Sequence, residues 1–480
     1  MHFSETLLTD LYQLTQAQAY FINGKSELEG SFYMHFRSNP FSGGYTVACG
    51  MQQIVDFIES FAFSDDDIDY LRSLRTASGG AMFNNDFLTY LAQMHLEVDV
   101  DAVLEGSLIF PYEPIVRVTG SMLQAQIIET PLLNQVGYQT LIATRAARIC
   151  EVAEGPVAEF GLRRAQGPAG GIFASRAAII GGCSSTSNVE AGRLFGLPVS
   201  GTHAHSWVMA FDSELEAFRA FAQAQPDGCI LLVDTYDTIH GVENAIVVGK
   251  EMKQRGQELF GIRIDSGDLA WLSIRARSML DEAGLGYVKI VGSNDLDEYT
   301  IKSLHDQGAR FDMWGVGTRL ATAYETPALA AVYKLSAYRN DANSEWIPTF
   351  KATEQLEKST LPGVLDVRRY YGEDGLIAGD MIYQLDSDVT DEMIVDPHDE
   401  MRQKRLIPGS FETLLKPLAR KGKIVWKQVS VAECQAHCQA SLQTLDPTSR
   451  RFMNPHRYPV GLEPTLHELR NDLRRKAKGL

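Results

Sequence analysis

What this sequence has little of narrows its function before any motif is read. It is short of positive charge: 44 Lys and Arg stand against 61 Asp and Glu, a formal net charge of -17. A polyanion is repelled by such a chain, so no nucleic-acid partner is expected. No apolar run approaches the roughly 20 residues of a membrane span, so no membrane association is expected either. The start, MHFSETLLTDLYQL, has no basic stretch leading into an apolar core, and no secretory signal is read there. Cysteine is sparse, at 49, 150, 183, 229, 434 and 438, with no spacing that suggests a disulfide framework. Cys434, His437 and Cys438 form one local cluster, but it lacks the second ligand pair of a structural zinc site. These features together predict a cytoplasmic protein.

What is present is an ordinary globular composition, 45% apolar and 22% charged, in 480 residues, enough for two or three domains. Apolar runs ending in polar residues recur in the middle: CILLVDT at 229–235, LFGIRIDSGD at 259–268, YVKIVGSND at 287–295 and FDMWGVGT at 311–318. Rich in Val and Ile and without polar alternation, they read as strands buried on both faces. Helical patterns separate them. Leu269, Leu272, Ala276, Met279, Leu280 and Ala283 recur at helix spacing, with Gly284 as the stop. A period of about 25–30 residues is that of a β/α unit, and a run of such units makes a parallel barrel or an open doubly wound sheet. In a barrel the strand C-termini face the active site. The residues at those ends are Thr202, His205, Asp234, Asp237, Arg263, Asp265, Asp268, Asn294, Asp295, Gly317 and Thr318. About half of the polar ones, with Asp297, are expected simply to cap the next helix. The predicted organisation is residues 1–130 and 346–480 as the two parts of an α+β domain built from both chain ends, around a catalytic α/β domain over 131–345.

Several stretches can carry chemistry. Segment 139–193 holds six arginines (145, 148, 163, 164, 176 and 193) against four glutamates, a local excess of positive charge where an anionic substrate can be met. WGVGTRLATAY places two glycines between a strand and a helix, where backbone N–H groups can approach a phosphate. RIDSGD sets an arginine beside two carboxylates, suited to an anion and to Mg²⁺. GTHAHSW offers His203 and His205 on alternate positions. A zinc site of the barrel-hydrolase kind needs further histidines at later strand ends, and only His240 lies near one.

The constellation resembles the nicotinate phosphoribosyltransferase family. The pieces that carry the resemblance are TDLYQLTQAQAY, FRSNPFSGGY, ATRAARI, EFGLRRAQGPAGG, SSTSNVEAGRLFGLPVSGTHAHSW, VDTYDT, RIDSGDL, GSNDLDE and GVGTRL, in family order from residue 9 to about 320. Toward the C-terminus KSTLPGVLDVRRYY is similar, except that Leu365 stands where a lysine is usual, and RFMNPHRYPVGL is similar again. The resemblance implies the fold of type II phosphoribosyltransferases, an irregular α/β barrel with a second domain from both termini. It implies synthesis of nicotinate mononucleotide and pyrophosphate from nicotinate and 5-phosphoribosyl 1-pyrophosphate, in NAD salvage, coupled to ATP as co-substrate. Asp234 and Asp265 would serve the ribose and Mg²⁺. Gly292, Gly315, Gly317 and Thr318 would cradle the 5-phosphate, with Arg145, Arg148 and Arg163 among the substrate-binding residues and the first two taken for the pyrophosphate. Phe160 and Tyr12 would sandwich the pyridine ring while Thr202 and Arg263 fix its carboxylate. Tyr12 would come from the partner subunit of a homodimer with shared active sites. His205, the histidine of the Ala204–His205 pair, would be the phosphorylated one, and His203, on the other strand face, would pack. A nicotinamide phosphoribosyltransferase is the nearest rival, followed by a metal-dependent barrel hydrolase.

Overall fold

The computed structural model describes residues 4–352 and 360–479. The chain divides into two compact units: one runs up to Leu141 and resumes at Ala328, and the other is Ile142–Pro327. The division falls at 141/142 and 327/328 rather than at 130/131 and 345/346. Two elements explain the difference. Helix Glu129–Val152 is a single 24-residue helix, so no linker marks its passage from one unit to the next. Strand Val332–Arg339 pairs antiparallel with Glu29–His35 and so belongs with the N-terminal residues.

Ile142–Pro327 holds a six-stranded parallel sheet in the order Ser185–Thr186, Val157–Glu159, Met313–Val316, Lys289–Gly292, Gly261–Ile264, Ile230–Leu232. Its strands are shorter than the apolar runs that announce them, because only the central residues of each run pair with a neighbour. The helices after three of them bury one apolar stripe each: Val242, Ala245, Val248 and Met252; Leu269, Leu272, Ala276 and Leu280; Ile301 and Leu304. Each starts at an aspartate that accepts a backbone N–H three residues on. Asp237 takes that of His240 (2.8 Å), Asp268 that of Trp271 (3.0 Å) and Asp297 that of Thr300 (2.8 Å).

Strand hydrogen bonds do not close this sheet into a ring among the described residues: its order ends at Ser185–Thr186 and at Ile230–Leu232. The segment after Pro198 touches both ends instead. Thr186 makes a parallel bridge to Val199, and the Leu232 N–H donates to Nε2 of His203 (3.1 Å).

The other unit carries a seven-stranded sheet drawn from both chain ends. Its order is Ile347–Pro348, Val332–Arg339, Glu29–His35, Val116–Ser121, Asp99–Ala102, Lys416–Arg420, Lys423–Ile424. A six-stranded sheet comes from C-terminal residues alone and includes Leu365–Tyr371 paired with Ile377–Gln384. Leu365 opens that strand at 1% exposure. It is a core residue, and a lysine there would bring an unpaired charge into the core. Of the KSTLPG segment before it, Lys358 and Ser359 lie outside the described residues. Cys434 and Cys438 are buried in helix Val431–Thr444, and His437 Nε2 lies 3.0 Å from the Ser107 hydroxyl.

Candidate active site

Chain direction in a parallel sheet brings every strand's last residue to one edge. Phe160, Asp265, Ser293 and Gly317 directly follow their strands and Asp234 comes two residues after Leu232, so all five collect there.

The two carboxylates are held in fixed rotamers. Asp234, with 1% of its side chain exposed, accepts the Asp265 N–H (2.9 Å) and the Ser266 hydroxyl (2.6 Å) on Oδ2. Its Oδ1 is buried and has no hydrogen-bond partner. Asp265 accepts the Ser293 hydroxyl on Oδ1 (2.5 Å). A buried carboxylate oxygen left without a donor is costly unless something else supplies charge or a proton. The pair fits a Mg²⁺ ion that keeps most of its ligands from substrate and water, the usual manner of that ion. Among the described residues no group of three or more His, Cys, Asp or Glu is placed to hold a metal, so a closed protein cage is not present there.

The two histidines differ completely. Residues 201–204 form no strand, and His205 opens a short helix, His205–Val208, so the divergence comes from a turn and not from the strand alternation expected. His203 is 7% exposed, with its ring edge-on to Phe221 (4.7 Å). Burial lowers its pKa to about 4, and its Nε2 accepts from Leu232, so it is neutral at pH 7 with the proton on Nδ1. His205 keeps 40% of its side chain exposed. Its Nε2 lies 4.0 Å from Asp234 Oδ1, and its Nδ1 lies 3.2 Å from the Thr235 hydroxyl.

Arg263 is largely buried, and its Nε has no hydrogen-bond partner. Among the described residues its Nη2 reaches only the His203 carbonyl, at 3.5 Å. Burial lowers its pKa, Asp265 and Asp234 oppose the shift, and exposed Arg163 adds to it as a like charge nearby. Thr202 is half-buried and spends its hydroxyl on the His203 carbonyl (3.2 Å). Half-buried Phe160 lies against Gly315, where a Cβ would come within 2.7 Å of the ring. Gly292 likewise faces the Phe311 ring, 3.0 Å from where its Cβ would stand. Both glycines are therefore demanded by aromatic packing, whatever else their backbone does. Gly317 and Thr318 head the short helix Thr318–Ala321.

Arg145 and Arg148, expected at the pyrophosphate, stand on helix Glu129–Val152 with their guanidinium groups at a buried carboxylate. Both side chains are 1% exposed and both bind Glu298, itself fully buried. Arg145 Nη1 reaches each Glu298 oxygen at 2.7 Å, and Arg148 Nε reaches Oε1 at 2.7 Å. Of the other arginines in the basic segment, Arg176 lies buried over the Phe195 ring and Arg193 pairs with Glu190, which leaves Arg163 and Arg164 exposed.

Sequence reasoning missed the hydroxyls of Ser266, Ser293 and Thr235, although each stands inside a motif that had been read. It also missed Glu159. Fully buried, Glu159 accepts the Ser175 (2.8 Å) and Thr186 (2.6 Å) hydroxyls and the Gly161 N–H, and so anchors the loop that carries Phe160 and Arg163. Asn294, just after Ser293, takes a left-handed backbone (φ 115°), a conformation costly for a residue with a side chain and frequent at functional sites. Tyr12 stands in the other unit, on helix Leu11–Ile22, 49% exposed. Burial of its phenol and the nearby Glu129 push its pKa up to about 12.

Three family models match the chain: the nicotinate phosphoribosyltransferase N-terminal domain over residues 7–137, the nicotinate phosphoribosyltransferase family over 156–357, and its C-terminal domain over 366–470. The nicotinate phosphoribosyltransferase of Bacillus subtilis (strain 168) is 42% identical over 465 residues, 96% of this chain and 93% of that protein. The crystal structure of human nicotinic acid phosphoribosyltransferase superposes with a TM-score of 0.85 at 32% identity, covering 97% of this chain and 100% of that one. A nicotinate-nucleotide pyrophosphorylase from Pyrococcus furiosus shares the fold at TM-score 0.70, 22% identity, and 92% and 97% coverage. Similarity of this extent, across both compact units, means that the chain belongs to the nicotinate phosphoribosyltransferase family.

Proposed function

We propose that this chain joins nicotinate to 5-phosphoribosyl 1-pyrophosphate, giving nicotinate mononucleotide and pyrophosphate in NAD salvage, with ATP hydrolysis coupled through a phosphohistidine at His205. The parallel sheet then acts as an irregular barrel, with segment 199–205 filling the gap its strand hydrogen bonds leave. The observation that carries the reading is the strand-end set itself: a largely buried guanidinium without an ion pair, beside two fixed carboxylates and an exposed imidazole.

The pyridine nitrogen already has a free lone pair, so the site needs no general base. What it must do is hold two reactants in line and stabilise charge as the C1–O bond to pyrophosphate breaks. Phe160 offers a flat surface to the pyridine, and Arg263 takes its carboxylate together with Thr202, whose hydroxyl turns from the His203 carbonyl to do so. Asp234 and Asp265, oriented by Ser266 and Ser293, bear on the ribose as positive charge develops there. Arg163, Gly315, Gly317 and Thr318 are left to the phosphates, and Gly292 contributes backbone only. Mg²⁺ bound at Asp234 and Asp265 would supply Lewis acidity toward the departing pyrophosphate. Product formation from nicotinate and phosphoribosyl pyrophosphate, measured with and without ATP and against nicotinamide as competitor, tests the whole reading. Turnover of nicotinamide in preference to nicotinate would overturn it in favour of the amide enzyme.

Arg263 carries the choice of acid over amide. A charge-assisted pair is worth about 1.5–3 kcal/mol, so Arg263→Ala is expected to raise the KM for nicotinate roughly 10- to 150-fold. The KM for phosphoribosyl pyrophosphate should move far less. An unchanged nicotinate KM would remove Arg263 from the pyridine site.

The second ring surface, Tyr12, is proposed to come from the partner subunit of a homodimer. Leu8, Leu11 and Tyr12 are all about half exposed and form an apolar stretch at the start of the chain, which suits a subunit contact. Mixing Tyr12→Ala with Asp265→Ala protein should restore part of the activity, because one of the two sites in the mixed dimer is then intact. Demonstrated subunit exchange with no recovery would sink the shared site.

A further inference from the structure

A cavity of about 360 Å³ opens in the unit built from both chain ends, lined wholly by residues of that unit. It falls within the size range of small-molecule sites. Leu104, Pro417, Val429 and Trp426 give it apolar walls, and Cys434 and His437, the cluster the active site leaves unused, also line it. Its remaining polar groups are Lys416, Lys427, Glu105 and Glu433.

The two carboxylates are committed. Glu105 accepts the Gly50 (2.6 Å) and Met51 (3.1 Å) N–H groups at the start of helix Met51–Ser60. Glu433 accepts the Ser430 N–H (2.7 Å) and hydroxyl (2.8 Å) in the capping box of helix Val431–Thr444. His437 is held by Ser107, and burial keeps its pKa below the ordinary value, so it adds no charge at neutral pH. Lys416 and Lys427 make no ion pair among the described residues, although Lys427 lies near enough to Glu433 to favour its ionised form. Both lysines belong to KPLARKGKIVWK, residues 416–427, which has five cations and no acid in a chain of net charge -17. One of the five, Arg420, is already spent on Asp101. An apolar chamber with an indole in its wall, two ammonium groups outside any ion pair and two carboxylates whose oxygens are held by N–H and hydroxyl donors favours an aromatic ligand of negative charge.

We propose that this cavity binds a planar aromatic small molecule carrying one anionic group, with its ring at Trp426 and its charge at Lys416 and Lys427. The test uses 2-naphthoate as probe and 2-naphthamide as its neutral isostere, titrated into the full chain by calorimetry. Saturating nicotinate is present throughout, so that the candidate active site is occupied. Binding of one 2-naphthoate per chain is expected, with 2-naphthamide at least tenfold weaker. Lys416→Ala combined with Lys427→Ala should bring the acid down to the level of the amide. Leu104→Trp, which fills the chamber, should abolish binding of both, with Val429→Trp as a second filling variant should the first fail to fold. Retained turnover and an unchanged melting temperature certify each variant. No saturable binding to the wild type, equal affinity for acid and amide, or binding that survives a folded filling variant would each overturn the proposal.

Discussion

His205→Ala protein is expected to take up no phosphate from labelled ATP, whereas wild type and His203→Ala take up an acid-labile, base-stable label. The two rings have similar sequence surroundings and opposite environments. Nε2 of His203 is occupied by the Leu232 N–H, and its ring is walled in by Phe221. A nitrogen that accepts a backbone hydrogen bond in the core has no lone pair to give. His205 stands 40% exposed with Asp234 Oδ1, itself unpartnered, 4.0 Å from Nε2. A carboxylate beside Nε2 favours the tautomer with its proton there and leaves Nδ1 as nucleophile once the rotatable Thr235 hydroxyl, 3.2 Å away, turns aside. In the proposed step that lone pair attacks the γ-phosphorus, the bond to ADP breaks, and water later releases inorganic phosphate. The energy is put to use if the phosphorylated form binds substrates more tightly than the free enzyme does. His205→Ala should therefore keep a slow, ATP-independent transfer and lose all stimulation by ATP. Label that survives in His205→Ala, or disappears only in His203→Ala, would reassign the site.

Glu298→Ala should cost about 3–5 kcal/mol of stability, the usual result of stripping the partner from a buried charge. Here one carboxylate serves two guanidinium groups, each 1% exposed, and all three contacts are 2.7 Å long. Removing it leaves two adjacent cations in the interior that repel each other, with half-exposed Glu325, 3.6 Å from Arg145, as a weaker counter-charge. For a unit of this size the loss corresponds to a fall in melting temperature of roughly 6–20 °C. Glu298→Gln keeps a hydrogen-bond acceptor without the charge and should fall between the two. A melting temperature within a degree of wild type for Glu298→Ala would show that the cluster does not stabilise the fold. It would also favour Arg145 and Arg148 as anion ligands.

The family and the β/α rhythm were legible in the sequence, and so was the cap at Asp297, whereas Asp237 and Asp268 were not singled out from the other strand-end residues. Asp237, Asp268 and Asp297 act on an N–H three residues away, so their role is written in the neighbouring chain and survives any arrangement of the rest. The sheet edge was legible for a similar reason: in a parallel sheet each strand's final residue must lie at the same side. That the seven-stranded sheet is drawn from both chain ends also followed from reading the two termini as one domain.

What the sequence could not decide was the fate of chemically identical groups. Arg145, Arg148 and Arg263 are all arginines in apolar company. Two of them meet Glu298, 153 and 150 positions along the chain, and the third makes no ion pair among the described residues. His203 and His205 sit two residues apart, yet a turn sends one under Phe221 and opens a helix with the other. Gly292 and Gly315 answer to the rings of Phe311 and Phe160, which only folding brings against them. By itself the sequence determined the elements and which residues follow each strand, because these depend on bonds spanning a few residues. Which charges are neutralised, which nitrogen is spent and which carboxylate oxygen is left over was decided by the tertiary structure. Those outcomes depend on partners supplied by distant segments, and burial makes each pairing, or its absence, energetically decisive.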